Sequence, residues 1–449
     1  MIDTGTLELD AIAIGTQLAR GDLAATELTR SLLDAIDRDN PQLRAYTHVF
    51  ADQALLSAAE SDARRVNGAG LGPLDGIPIA IKGNIAVAGW PQHAGLEFLR
   101  TAPAMADAFV VRRLRTAGAI LLGLTNLDEG ALGAAGVNPH FGTVANPRVP
   151  AATTGGSSAG SAAALAAHLT TLAIGTDTIG SVRIPASYCG LTALKPTFGA
   201  ISTGGIVATH QRFDHVGPMA RSVRDLVMLL DALVGWDREC RVSFPLKFRA
   251  RNAGNTLRIG FITGFDDLAP DAPTIEGYDR AINALRRAGH TLSHFDVAPW
   301  QLQQSYRAIF ALCEIEMARA HAGRLGTAPE SFSPSLRKLL KFGRSQTGTD
   351  MQRYEWRVAR FVANVQRVFT EIDVLLAPTT PTTAFPSGAA QATNSATFTS
   401  IASATGRPAV VVPVNADPKI APASVQLIGQ AGNDYVLLRL AQSLEAAIS

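Results

Sequence analysis

Residues 153–161 read Thr-Thr-Gly-Gly-Ser-Ser-Ala-Gly-Ser, and a second small-residue run, Gly175-Thr-Asp-Thr-Ile-Gly-Ser181, follows the apolar stretch Ala162–Ile174. An ordinary core has no use for such runs, because glycine costs backbone entropy and consecutive serines bury little apolar area. Two of them flanking an apolar stretch mark a place where backbone N–H groups and hydroxyls crowd around a ligand.

The rest of the chain alternates between two periodicities. Helical spacing covers 6–36 and 51–66, with Asn40-Pro41 as a break. Ile77-Pro-Ile-Ala-Ile81 is short, branched and apolar, and reads as a buried strand ending at Lys82. The pattern then predicts a helix over 106–117, a strand over 120–124, a helix after Ser157, a strand over 171–174 and a helix over 223–234. Beyond a polar stretch at 235–256 come strands over 257–262 and 291–297 around a helix over 274–288, then helices over 300–322, 333–342 and 350–371. Strands at 373–377, 409–412 and 425–428 and a helix at 434–447 close the chain. Alternating elements with β-branched strands imply an α/β fold around a covered, parallel or mixed sheet. Residues 378–397, rich in Pro, Thr, Ala and Ser, form a long loop. A substrate-facing role and a plain surface connection both fit it.

Composition narrows the function. Of 449 residues, 47% are hydrophobic and 17% charged, the balance of a large enzyme rather than a disordered chain. Lys+Arg exceed Asp+Glu by 40 − 38 = 2, so no strong field favours nucleic acid or a membrane surface. The pairs Arg112-Arg113 and Arg286-Arg287 read as solvated helix faces. Three cysteines, Cys189, Cys240 and Cys313, form neither a disulfide framework nor a Cys-x-x-Cys pattern, which fits a reducing compartment. The acidic N-terminus lacks signal-peptide regions, and no apolar run reaches the ~18 residues of a membrane span. The expectation is a soluble cytoplasmic protein. The nine histidines are scattered without ligand spacing, and neither His-Glu-x-x-His nor Gly-x-x-x-x-Gly-Lys-Ser/Thr occurs, so no metal or cofactor is expected.

Nucleophilic catalysis remains. Gly156-Ser-Ser158-Ala-Gly160 has the form of a hydrolase nucleophile elbow, but the loop-like Val149-Pro-Ala-Ala-Thr-Thr-Gly155 precedes it where a strand is needed. Ser335-Leu-Arg-Lys338 has the form Ser-x-x-Lys but lies in a basic helical stretch without companion motifs. A serine activated by a lysine is the other option. Such a lysine must be neutral and therefore buried, and Lys82, at the end of an apolar strand, fits. A lysine snorkelling from a strand end fits the same position. The serine loops supply nucleophile and donors, and the N–H groups of Thr178, Ile179, Gly180 and Ser181 are placed to converge on an oxyanion.

These residues fall into a pattern that resembles the amidase signature enzymes, serine hydrolases of carboxamides. It runs from Pro73-Leu-Asp-Gly-Ile-Pro-Ile-Ala-Ile-Lys-Gly-Asn84 through Gly118-Ala-Ile-Leu-Leu-Gly-Leu-Thr-Asn126, the two serine loops and Cys189-Gly-Leu-Thr-Ala-Leu-Lys-Pro-Thr197. It continues at Asp214-His-Val-Gly-Pro-Met-Ala220, Thr405-Gly-Arg-Pro-Ala-Val-Val-Val-Pro413 and Gln426-Leu-Ile-Gly429, leaving about 235–350 generic. The resemblance implies an amidase signature fold, a large mixed twisted sheet covered by helices on both faces. It implies one domain over 1–449: N-terminal helices to 70, the signature core over 71–235, and a variable region with the rest of the same sheet over 236–449. It implies Ser181 as nucleophile, Ser157 as bridging cis serine and Lys82 as base, with Ser158, Asp177 and Arg183 in support. Homodimers occur among relatives.

Three positions depart from the pattern. Gly83 stands where many members have Asp, and Ala159 and Ile179 replace glycines. Ile179 either keeps an ordinary backbone or narrows the acyl pocket. The leading expectation is a free-standing amidase for a small carboxamide or urea-like amide. The alternative is the glutaminase (A-type) component of a tRNA-dependent amidotransferase. Those proteins typically have Gln-Pro where this chain has Ile184-Pro185, and Asp-Glu-Phe-Ala-Met-Gly where it has Asp128-Glu-Gly-Ala-Leu-Gly133.

Overall fold

Eight strands read from the sequence join three that it hid. A computed structural model describes residues 4–248, 256–388, 394–415 and 420–448. Its strands are β1 (Tyr46–Val49), β2 (Pro78–Lys82), β3 (Ile120–Thr125), β4 (Leu172–Asp177), β5 (Thr192–Lys195), β6 (His215–Ala220), β7 (Arg258–Thr263), β8 (Thr291–Asp296), β9 (Val374–Pro378), β10 (Ala409–Pro413) and β11 (Ser424–Gly429). They form one 11-stranded sheet in the order β1-β3-β2-β4-β6-β5-β10-β11-β9-β7-β8. Strand β2 runs parallel to both β3 and β4, β7 runs parallel to β8 and β9, and the other pairs are antiparallel. Helices flank the sheet, Ala159–Ala166 against β2, β3 and β4, and Asp434–Ile448 against β10 and β11.

The hidden strands are β1, β5 and β6. The first two are four residues long, too short for alternation to show. Strand β6 carries Gly217 and Pro218, which sequence rules read as breakers. Here β5 pairs with Met219 and Ala220 alone, so Pro218 lies beyond the stretch bonded on that side. A Cβ on Gly217 would sit 2.8 Å from the Leu194 carbonyl oxygen, so glycine permits the close approach of β5.

The expected break at Asn40-Pro41 is corrected: the helix Ala25–Leu43 runs through Pro41. The proline lies in the final turn, where little helix remains to disrupt. The Arg44 N–H donates to the Asn40 carbonyl at 2.7 Å and closes the helix there. The periodic stretch 6–36 is instead interrupted at Gly21, whose φ of 77° ends the helix Ala11–Arg20. Strands β2, β3 and β4 are buried throughout, as continuous apolar runs in a sheet covered on both faces should be.

Candidate active site

Strand β2 delivers Lys82. Flanked by parallel neighbours and wholly buried, its last side chain ends beneath the serine loops rather than in water. Lys82 Nζ lies 2.8 Å from Ser157 Oγ and 2.8 Å from Thr176 Oγ1. Burial strips the ammonium of water and lowers its pKa from 10.5 to about 7, against the pull of Asp128, Asp177 and Asp214. At neutral pH a large fraction of Lys82 is therefore an amine.

The first serine loop enters through a cis Gly156–Ser157 peptide. Asp128 packs behind it and accepts the N–H groups of Ala135 and Gly136. A Cβ on Gly156 would stand 2.0 Å from Asp128 Oδ2, so residue 156 has to be glycine. Ser158 ties the two loops together. Its N–H donates to the Ser181 carbonyl at 3.0 Å, and its hydroxyl donates to the Thr176 carbonyl at 3.2 Å. The helix Ala159–Ala166 then begins, which gives Ala159 an ordinary helical conformation that needs no glycine.

The second loop leaves β4 at Asp177 and turns into the helix Arg183–Cys189. Asp177 and Arg183 are both fully buried, with Arg183 Nε 2.9 Å from Asp177 Oδ2 and Nη2 3.0 Å from Oδ1. Burial works to raise the Asp177 carboxyl, but the guanidinium overrides it and holds the pKa at about 2. Arg183 also donates to the Thr399 carbonyl, Gln426 Oε1 and Ser403 Oγ, so the loop is pinned to the C-terminal third of the chain. Thr178 is held from another side, its hydroxyl donating to Asp214 Oδ1 at 2.6 Å. Gly180 has a φ of 141°, and a Cβ there would meet Thr399 Oγ1 at 2.3 Å. Among the described residues, the N–H groups of Ile179, Gly180 and Ser181 find no acceptor in the protein.

These N–H groups border a cavity of about 300 Å³, whose wall includes Thr178, Ile179, Gly180 and Ser181. Lys82 and Ser157 do not line it and are 0% and 1% exposed, whereas Ser181 is partly exposed on it. Ile184, Tyr306, Phe310 and Leu339 make the remaining wall largely apolar. Ser395 and Ala396 also line it, so the end of the long Pro/Thr/Ala/Ser-rich loop faces the site. Ile179 keeps an ordinary backbone, since its φ is not positive, and it lines the cavity.

Gly83 has a local cause. A Cβ there would sit 2.2 Å from Nε2 of His93, a fully buried ring hydrogen bonded to Thr47 Oγ1 at 2.9 Å and stacked on Phe141. The histidine fills the space that a side chain after the lysine would need. Sequence reasoning missed Thr176, which shares Lys82 and also accepts from Asn84 Nδ2 at 3.1 Å, and it missed Thr399 and Asp214. Thr176, Asn84, Asp214 and Gln426 all lie inside the quoted motifs, so the motif boundaries carried the signal.

Known proteins share this fold over nearly the full chain. The family model described as Amidase matches residues 27–438. The A-type component of glutamyl-tRNA(Gln) amidotransferase from Chloroflexus aurantiacus is 35% identical over 476 aligned residues, covering 97% of this chain and 96% of its own. A solved chain from a vestigial protein complex that bears on the origins of an s-triazine catabolic enzyme superposes with a TM-score of 0.90 at 30% identity, covering 97% of this chain and 98% of its own. The peptide amidase of Stenotrophomonas maltophilia superposes with a TM-score of 0.84 at 30% identity, covering 98% of this chain and 97% of its own. With its family model matched over nearly its whole length and its fold shared with these enzymes, the chain belongs to the amidase signature family and is an enzyme of amide carbon–nitrogen bonds.

Proposed function

We propose that the protein hydrolyses a small carboxamide or urea-like amide through an acyl-enzyme on Ser181. The supporting observation is the buried Lys82–Ser157 contact of 2.8 Å on a loop whose next residue, Ser158, is hydrogen bonded to the carbonyl of the cavity-lining Ser181. Neutral Lys82 accepts a proton relayed through Ser157 from Ser181 as Ser181 Oγ attacks the carbonyl carbon. The oxyanion is received by the unpartnered N–H groups of Ile179, Gly180 and Ser181, assisted by the Thr178 segment. The proton returns along the relay to the leaving nitrogen, and water then enters by the same base to release the carboxylic acid. Asp177, Arg183 and Ser158 hold the loops in this geometry.

The curated relatives favour a second reading, since the Chloroflexus protein is part of an amidotransferase. In that reading the same site makes ammonia from glutamine for a partner enzyme. Two tests separate the readings. Ammonia release from a panel of aliphatic, aromatic and urea-type amides by the chain alone supports the free amidase. Release from glutamine that requires added partner proteins and tRNA overturns it. Loss of all turnover in Ser181→Ala is expected in both, and an active Ser181→Ala protein removes the acyl-enzyme itself.

A further inference from the structure

A second cavity, of about 190 Å³, lies between the helix Gly348–Val368 and the start of the helix Leu302–Ala320. It shares no lining residue with the cavity at Ser181. Arg353, Arg357 and Arg360 line it, at the i, i+4, i+7 spacing that puts side chains in a row on one helix face. Little offsets their charge. Arg353 has Asp350 Oδ1 at 3.6 Å, and Arg357 donates to the neutral amide oxygen of Gln301 at 2.7 Å. Among the described residues, Arg360 makes no hydrogen bond or ion pair. Like charges at this spacing repel, so an anion settling among them is stabilised by all three. The helix Leu302–Ala320 begins here without a side-chain cap, and its positive dipole end adds to the field. Trp300 lines the same cavity and is 6% exposed, yet among the described residues its indole N–H meets no acceptor. A buried indole N–H normally has one. Trp356 also lines the cavity but is 68% exposed. Three guanidiniums and a free indole N–H suit a phosphate, whose oxygens take guanidinium forks in pairs. An open indole beside them suits a planar ring attached to that phosphate.

We propose that this second cavity binds a nucleoside monophosphate, with the phosphate among Arg353, Arg357 and Arg360 and the base stacked on Trp356. Occupancy of this site does not depend on which amide reacts at Ser181.

Calorimetry on the full chain with AMP, ribose 5-phosphate and adenosine tests the two halves of the site. AMP should bind about tenfold tighter than ribose 5-phosphate, the scale of one stacked base. Adenosine, which lacks the anion, should bind at least about tenfold more weakly than AMP. Trp356→Ala should bring AMP down to the affinity of ribose 5-phosphate. Arg353→Gln/Arg360→Gln should weaken both phosphates by about tenfold or more. All three side chains are exposed, so the thermal midpoints of these variants should match the wild type. Arg307→Gln, on the wall of the catalytic cavity, should leave AMP binding unchanged. AMP binding that is lost in Arg307→Gln but kept in Arg353→Gln/Arg360→Gln would place the ligand in the catalytic cavity and overturn the proposal. No binding of AMP to the wild type, or adenosine binding as tightly as AMP, overturns it too. AMP binding no tighter than ribose 5-phosphate overturns the assignment to a nucleoside.

Discussion

Among the described residues, two lysines lie wholly inside this protein, and both are pulled down to about 7, chiefly by burial. Lys82 ends β2 and Lys195 ends β5, each at the last residue of a buried strand. Their partners differ. Lys82 Nζ meets the hydroxyls of Ser157 and Thr176. Lys195 Nζ lies 3.0 Å from His215 Nε2 and 3.0 Å from the Pro196 carbonyl. His215 Nδ1 faces the Phe213 carbonyl at 2.7 Å, which can only accept, so Nδ1 carries the proton and Nε2 accepts from Lys195. A depressed pKa thus does not by itself make a base. Lys82 has a hydroxyl between it and a cavity, whereas Lys195 has a dead-ended ring.

The comparison breaks most sharply on turnover. Lys82→Ala is expected to lower kcat by ~10⁴, the scale of losing one member of a relay that acts as a unit. Lys195→Met should keep kcat within about tenfold, since Lys195 is hydrogen bonded to His215 and Pro196 rather than to a residue of the relay and acts on the site only through the field at Asp177. Ammonia release from any accepted amide measures both. Equal losses would mean that Lys195 serves the reaction through Asp177, or that Lys82 is structural.

The two lysines also show what the sequence disclosed. Each stands inside a quoted motif, but the motif alone does not say what surrounds the ammonium. Ser157 and Ser181 stand out in the sequence because they sit in contiguous loops of unusual composition, whereas Lys82, at the end of an apolar strand, gains its expected role only through the family resemblance. Strand β6 was not legible, because Pro218 and Gly217 read as breakers until the pairing shows which side they leave unbonded. Arg307 and Tyr306 were not legible either. They stand on a helix of ordinary periodicity, and only the packing turns that face toward Ser181. The Gly83 departure was visible, but its cause, a histidine ten positions further on, is a contact in space.

That contact gives the next test of the Lys82 region. Gly83→Ala drives a Cβ to within 2.2 Å of the His93 ring. Overpacking of this kind should destabilise the fold by about 1–3 kcal/mol. His93→Ala in the same chain should recover part of the loss, read as midpoints in urea denaturation. A double variant no more stable than Gly83→Ala would show that the Thr125 carbonyl, 3.0 Å from the same Cβ, is the real obstacle.

The pH profile sharpens the comparison on a smaller scale. Lys82 works as an amine, so kcat/KM should fall as pH drops through about 7, where the lysine takes up a proton. Asp128 is the leading charge that holds the proton on Lys82. Asp128→Asn should therefore move the acid limb to lower pH, while Lys195→Met should leave it in place. An acid limb that follows Lys195→Met instead would reassign the titrating group.

The smallest effect is on stability, and there the two lysines should behave alike. An unfolded lysine titrates near 10.4, and each of these titrates at about 7 in the folded chain. Between those values the unfolded chain holds one more proton per lysine. Unfolding free energy therefore rises with pH across the window, by up to about 1.4 kcal/mol per pH unit for each lysine. Below about 7 both are charged in both states, and the cost of burying the charge is felt in full. The Cys189 thiol, pushed up to about 12 by burial, opposes this once pH passes its unfolded pKa of about 8.5. The clean window is thus roughly pH 7 to 8.5, and Lys195→Met should halve the slope measured there. A slope that Lys195→Met does not change would mean that Lys195 keeps its proton in the fold, leaving Lys82 as the one buried amine and making the hydroxyl partners, not burial, the source of the difference.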